Sequence, residues 1–358
     1  MAPYWLLLLV PWLAAIGGER VGGAAKAEGS WGLSFQLYFV LVLLLVGWRH
    51  EVGGDWINYL PMIEESLQLG LLDAWAQKGD TAYILLTWLS AFSGADIYGV
   101  NLVCALVFAF GLMVFCKTSP RPWLSLAVAV PYLVIVVAMG YTRQGVAIGL
   151  VMLGLVALDK GSVARFVCWM AVAALFHKTA LILIPMAIFA GRKTWVALAG
   201  VLLTAVLMFF LLLAEYVDHL VAGYITDQMA SSGAAIRIAM NAVPAAVFLV
   251  FRQRFDLTDA QKIFWTWMSL GGLAFIGLLA VSPSSTAVDR VALYWIPLQL
   301  FVWSRWPAAM ARTHNAQLPW VAGVLLYSLA VQFVWLFYAD NSWAWVPYQF
   351  YPWVWLWS

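Results

Sequence analysis

Charge is what this sequence has least of. Lys, Arg, Asp and Glu make up 10% of its 358 residues, against 65% hydrophobic residues. A soluble domain needs far more charge than this to cover its surface, so the composition points to a membrane protein with many spans. Basic tracts are missing as well. With no run of Lys and Arg to neutralise phosphates in series, nucleic acid is not an expected partner. Cys104, Cys116 and Cys168 sit in apolar runs without a Cys-x-x-Cys, which gives no disulfide framework and no zinc site. The sequence has no Asp-x-Asp, His-x-x-x-His or His-Glu-x-x-His, no phosphate-cradling glycine loop and no Ser nucleophile elbow. Neither a metal nor a cofactor is expected. Internal repeats are not visible, which argues modestly against many transporter architectures.

What is there is a series of long apolar runs. A crossing takes about 20 apolar residues, so the chain has room for about ten to twelve spans and for no separate soluble domain. The expectation is one all-α, polytopic transmembrane domain over 1–358. MAPYWLLLLVPWLAAI has an apolar core but no basic n-region, and reads as a retained span rather than a signal peptide. Further spans are expected near 31–48, 97–116, 123–139, 144–158, 194–214, 237–251, 263–282, 290–304 and 318–338. Pro131, Pro185, Pro244 and Pro297 fall inside such runs, where they kink helices and free carbonyls. The polar interval 49–80 mixes acids with regularly placed Leu and Trp, as an interfacial amphipathic helix does. The apolar piece 81–93 is too short for an untilted crossing and suggests a re-entrant segment. The run 166–190 is broken by His177 and Lys178, as if two half-length helices met there. The Trp- and Tyr-rich tail suggests an aromatic anchor at a headgroup boundary.

The positive-inside rule referees the two short segments. If both dip in and return, the loops holding Arg20, Lys26, Lys117, Arg121, Lys160, Arg165, Arg192, Lys193, Arg252, Arg254, Lys262, Arg305 and Arg312 share one face. Arg49, Lys78, Arg143, Lys178, Arg237 and Arg290 remain on the other. All but Lys78 lie flush against apolar sequence. An ionisable side chain at membrane depth costs about 3 kcal/mol on insertion scales, so cations retained on the outward face imply an anionic ligand.

Guanidinium groups suit a diphosphate, because they bind its oxygens bidentately and stay charged. A lipid-linked diphosphate would place its tail on apolar walls, and a diphosphate that leaves is stabilised by cations beside it. Transfer also needs a base for the attacking hydroxyl. His177, Asp55 and Asp289 are the candidates, and His177 is preferred because it titrates nearest neutrality. A structural role for His177, bonding a freed carbonyl, competes with that. Asp55 is equally placed to be base, sugar ligand or partner of Arg49, while Asp289 is expected in an internal ion pair beside Arg290.

At these residues the sequence resembles the EpsG-type, Wzy-like family of bacterial exopolysaccharide and O-antigen polymerases. WRHEVGGDWINYL looks like that family's Arg, Gly, Gly-x-Asp, Tyr stretch, carried here by Arg49, Gly53, Asp55 and Tyr59. GYTRQGVAIGL is similar to its Arg-Gln-x-x-Ala helix start, at Arg143, Gln144 and Ala147. LFHKTALIL matches a Phe-His-x-(Ser/Thr)-Ala run at Phe176, His177, Thr179 and Ala180. Arg237 with Pro244, Arg290 with Tyr294, and Pro347 with Tyr348 follow in similar order. Where family members often carry Thr before the early Asp, this chain has Gly54.

The resemblance implies a GT-C-like, metal-independent enzyme of the bacterial inner membrane, with its active face outside. It would move a growing glycan from undecaprenyl diphosphate onto a lipid-linked repeat unit. Arg143, Arg237 and Arg290 would hold diphosphate, with Arg49 and Lys178 as further cations. His177 or Asp55 would activate the acceptor, and Gln144, Tyr59, Tyr294 and Tyr348 would contact other parts of the substrates. Partners would be the lipid-linked donor and acceptor, membrane lipid and a chain-length regulator. The alternatives are a related lipid-linked glycan ligase and a transporter or flippase of lipid-linked sugars.

Overall fold

A computed structural model of the chain describes residues 1–17, 31–189 and 233–357. The expected span 194–214 and the loops holding Arg20, Lys26, Arg192 and Lys193 lie outside the described residues. Hydrocarbon offers the backbone no hydrogen bonds, so the apolar runs satisfy their own peptide groups as helices. In chain order these are α1 (Ala2–Ile16), α2 (Leu33–Gly47), α3 (Trp56–Ser66), α4 (Leu71–Ala76), α5 (Thr81–Phe92), α6 (Asp96–Lys117), α7 (Pro122–Ala129), α8 (Thr142–Asp159) and α9 (Val163–Phe176). After the undescribed stretch come α10 (Ala234–Phe251), α11 (Asp259–Val281), α12 (Ser285–Ala292), α13 (Ile296–Met310), α14 (His314–Tyr338) and α15 (Tyr351–Trp357). The protein is an all-α polytopic membrane protein. Helices α6, α8, α10, α11 and α14 are long and apolar enough to cross a membrane, and shorter apolar helices, α1, α2, α5 and α9 among them, accompany them.

The centre of the molecule is α7 and its continuation. Past Ala129 the helix widens into a π-helix, Val130–Ala138. Pro131 stands at its start, where a missing N–H cannot continue the α ladder. Residues 124–140 are buried throughout, as expected of a helix that is apolar all round. Helices α1, α13 and α14 pack on α7, and α8 packs on α6 and α9.

Three chain breaks set up the site, and the first follows the π-helix. The chain pauses at Gly140 and Tyr141 before α8 begins. The second is the turn from Arg49 to Asp55, where Glu51 takes φ +50° and Gly53 φ +114°. A Cβ at Gly53 would collide with the Met139 carbonyl, so only glycine fits this approach. The third is His177, an extended residue between α9 and a 3₁₀ helix, Lys178–Phe189, that packs back on α9. The expected break at His177 is therefore present, with its second half wound as 3₁₀ around Pro185.

The tail departs from expectation. Trp343, Trp353 and Trp355 are exposed as an aromatic belt requires, but Trp345 is only 1% exposed. Its indole N–H donates to the Ile135 carbonyl at 2.8 Å, and its own carbonyl accepts from the Tyr4 hydroxyl. The Ala344 carbonyl takes the Gly53 amide at 2.8 Å, and the Gly140 carbonyl takes the Asp55 amide at 3.1 Å. A two-residue antiparallel pair, β1 (Arg49–His50) with β2 (Gln349–Phe350), completes this junction. The indole is buried here because its N–H finds an acceptor inside, the Ile135 carbonyl near the end of the π-helix, in place of the water and headgroups of a boundary.

Candidate functional site

Helices α8, α10 and α13 each lead from one end of the molecule to the other, and their two ends differ in chemistry. At their N-terminal ends stand Arg143, Arg237 and, one short helix before α13, Arg290. At the opposite end Arg121 donates to the Gln317 side chain, Arg305 to the Thr118 carbonyl, and Gln261 to Asp159. These five arginines, which charge accounting assigns to separate faces, thus occur at separate ends.

Arg143 opens α8. Its Nη1 reaches Asp80 Oδ2 at 3.2 Å, and the rings of Tyr59 and Tyr83 each lie 5.8 Å from the guanidinium carbon. The Arg143 side chain is 37% exposed. Asp80, the residue before α5, also accepts the Lys178 amide at 3.3 Å, so one carboxylate ties the α8 start to the break after α9. Burial pushes the Asp80 carboxyl up from the usual carboxylate range, and Arg143 with the Lys178 amide pulls it back.

The His177 ring lies beyond this tie. Its Nδ1 is 2.5 Å from the Thr179 hydroxyl and 3.0 Å from the hydroxyl of Tyr294, and Thr179 and Tyr294 also bond each other. Among the described residues Nε2 makes no hydrogen bond. Arg143 and Arg290 both act electrostatically on this ring.

Arg290 comes from the last turn of α12 and stacks its guanidinium 3.7 Å above the Tyr141 ring. Gln144 anchors the backbone there, donating to the Arg290 carbonyl at 2.5 Å. Asp289 does not pair with Arg290. It binds Arg237 in a two-pronged bridge at 2.7 and 2.8 Å, because successive helical residues point in different directions. Asp55 is the residue before α3, its side chain makes no capping bond to the helix, and it accepts a 3.3 Å bond from the Tyr59 hydroxyl. Burial pushes its carboxyl up, and Arg290 and Arg143 pull it down. Asp55 and His177 are thus each within electrostatic reach of the same two arginines.

Two expected ligands stand apart from this group. Arg49 is 1% exposed, and its guanidinium is spent on the carbonyls of Val46 and Val52 and on the side chains of Asn101 and Thr142. It braces the loop of Asp55 from beneath, and no donor is directed to a ligand. The Tyr348 hydroxyl donates to the Leu45 carbonyl at 2.7 Å and the ring packs on Tyr4. Gln144 and Tyr294 are near the site but buried, so they position Arg290 and His177. Asp80 is the residue the sequence reading passed over. Its only signal was an acid directly before the short helix α5.

Among the described residues no group of His, Cys, Asp and Glu is arranged to hold a metal ion. The arrangement brings two guanidinium groups, Arg143 and Arg290, within electrostatic reach of a carboxylate and an imidazole. A family model described as the EpsG family matches residues 33–350. No curated protein and no solved structure matches the chain.

Proposed function

Since the chain belongs to the EpsG family, a family of polysaccharide-polymerase type, we propose that it joins lipid-linked oligosaccharide repeat units into a bacterial surface polysaccharide. The reaction is glycosyl transfer. An acceptor sugar hydroxyl attacks C1 of the donor glycan, the C1–O bond to the lipid diphosphate breaks, and the diphosphate leaves with the electron pair. The hydroxyl proton passes to His177 or to Asp55. The observation that carries this reading is that Arg143 and Arg290 are both within electrostatic reach of each of these groups. Cations at the site hold the lipid diphosphates and meet the charge that develops on the one that leaves, and a base beside them takes the proton.

For His177 the hydrogen bonds suggest how. With the Nδ1–H donating to the Thr179 hydroxyl, Nε2 is the lone-pair nitrogen and has no hydrogen-bond partner among the described residues. No metal enters this scheme. The two-ended distribution of Arg and Lys supports an inner-membrane protein whose site opens outward. A ligase would use the same groups on a different acceptor, and a flippase would use the arginines without chemistry.

The experiment is direct. Purified protein in liposomes, given lipid-linked repeat units alone, is expected to produce longer chains without nucleotide sugar or added metal. Repeat units that change leaflet but do not lengthen would overturn the polymerase reading.

A further inference from the structure

Arg237 belongs to two features at once. It bridges to Asp289, and it lines a cavity of about 660 Å³ between α10 and α14. The two helices run in opposite directions here, so their sequences grade the cavity from end to end. Near the site lie Arg237, early in α10, and Asn341, just past α14. Deeper along the helices the walls are Met240, Val243, Ala330 and Val331. The shape is that of a pocket for an amphiphile with an anionic head and a long apolar tail.

The polar end is joined to the site by the Arg237–Asp289 bridge, Asp289 being the residue next to Arg290. Tyr132, which lines the cavity, is within electrostatic reach of Arg237, Asp289, Tyr141 and Arg290. A head held at Arg237 and Arg290 therefore sits beside Asp55, and its tail has one apolar way to go.

We propose that this cavity takes the polyprenyl chain of the donor lipid, with the donor diphosphate on Arg237 and Arg290 and the acceptor diphosphate on Arg143. The assignment rests on the polymerase reading. Its direction follows from the chemistry at the two ends. The leaving diphosphate gains charge in the transition state and is best met by paired, bidentate guanidinium groups. The acceptor has to lose a proton, and His177 joins through the Lys178 amide and Asp80 to Arg143.

The test separates the two lipids. The donor carries a capped terminal sugar, so it cannot accept. The acceptor carries its glycan through a C-glycosidic phosphonophosphate, which cannot leave. Each is made with a full-length polyprenyl chain and with a two-isoprene chain. Ala239→Trp and Ala330→Trp, at exposed positions of the cavity wall, narrow it without touching the arginines.

The expected result is a KM for the long-chain donor raised about tenfold, or about 1.4 kcal/mol, with kcat kept. The short-chain donor keeps its KM in both variants, which also shows that they are folded. Acceptor chain length makes no difference. A KM that follows the acceptor chain instead overturns the assignment in favour of the acceptor. If both variants treat long and short donors alike, the cavity holds bulk lipid or residues 190–232 and the proposal falls, while the polymerase reading stands. If the wild-type protein lengthens nothing, that reading falls and takes this assignment with it.

Discussion

Arg49 and Arg143 stand at the same end of the helices, linked through Thr142, and they are held in opposite ways. Arg49 is enclosed by neutral oxygens, two from the backbone and two from Asn101 and Thr142. Arg143 has one carboxylate at 3.2 Å, two ring faces and an open side. A buried guanidinium with four of its five N–H donors on fixed oxygens has little left to give a ligand. One held by a single carboxylate and open on one side still has N–H donors to offer a phosphate. The difference between these regions is the difference between a brace and a site.

Three substitutions would break or sharpen this contrast. The largest effect is expected from Arg143→Ala, which should lower the rate of chain growth about 10²- to 10³-fold. Thermal unfolding of the detergent-purified variant should stay near wild type. A stability loss as large as the activity loss would place Arg143 with Arg49. Next comes Arg49→Ala, which strands four buried acceptors and is expected to cost about 3 kcal/mol of stability. It should be read as a lowered unfolding temperature and a reduced yield of folded protein. Activity per folded molecule should change far less than in Arg143→Ala. The smallest effect belongs to Tyr348→Phe, which removes one hydrogen bond worth about 1 kcal/mol and should leave chain growth unchanged. A selective loss of activity there would return Tyr348 to the substrate.

Much of this was legible in the sequence. The spans near 97–116, 237–251, 263–282 and 318–338 appear within a few residues of their expected ends, because apolar runs of that length have one solution in a membrane. The break at His177 was legible for the same reason, since a polar pair cannot sit inside such a run without one. What sequence pattern does not encode is which way a charge at the edge of a run points. Arg49, Arg143 and Arg290 each lie flush against apolar sequence, yet the first turns inward to carbonyls, the second to a carboxylate and the third onto a ring. Asp80 went unnoticed because its partners are 63 and 98 residues away. Asp289 was paired with its neighbour Arg290 on adjacency, whereas helical geometry delivers it to Arg237.

The junction at Trp345 bears on how the enzyme is made. The turn that carries Asp55 is locked by Ala344, Trp345 and the β1–β2 pair, and the Tyr348 hydroxyl closes a contact spanning 303 residues. Membrane insertion proceeds as the chain emerges, so Arg49 and Asp55 reach the bilayer long before their partners are synthesised. Until then the turn of Asp55 lacks the contacts that fix its shape. The last loop is therefore the piece on which the geometry around Asp55 waits, and under the proposed function chain growth waits with it.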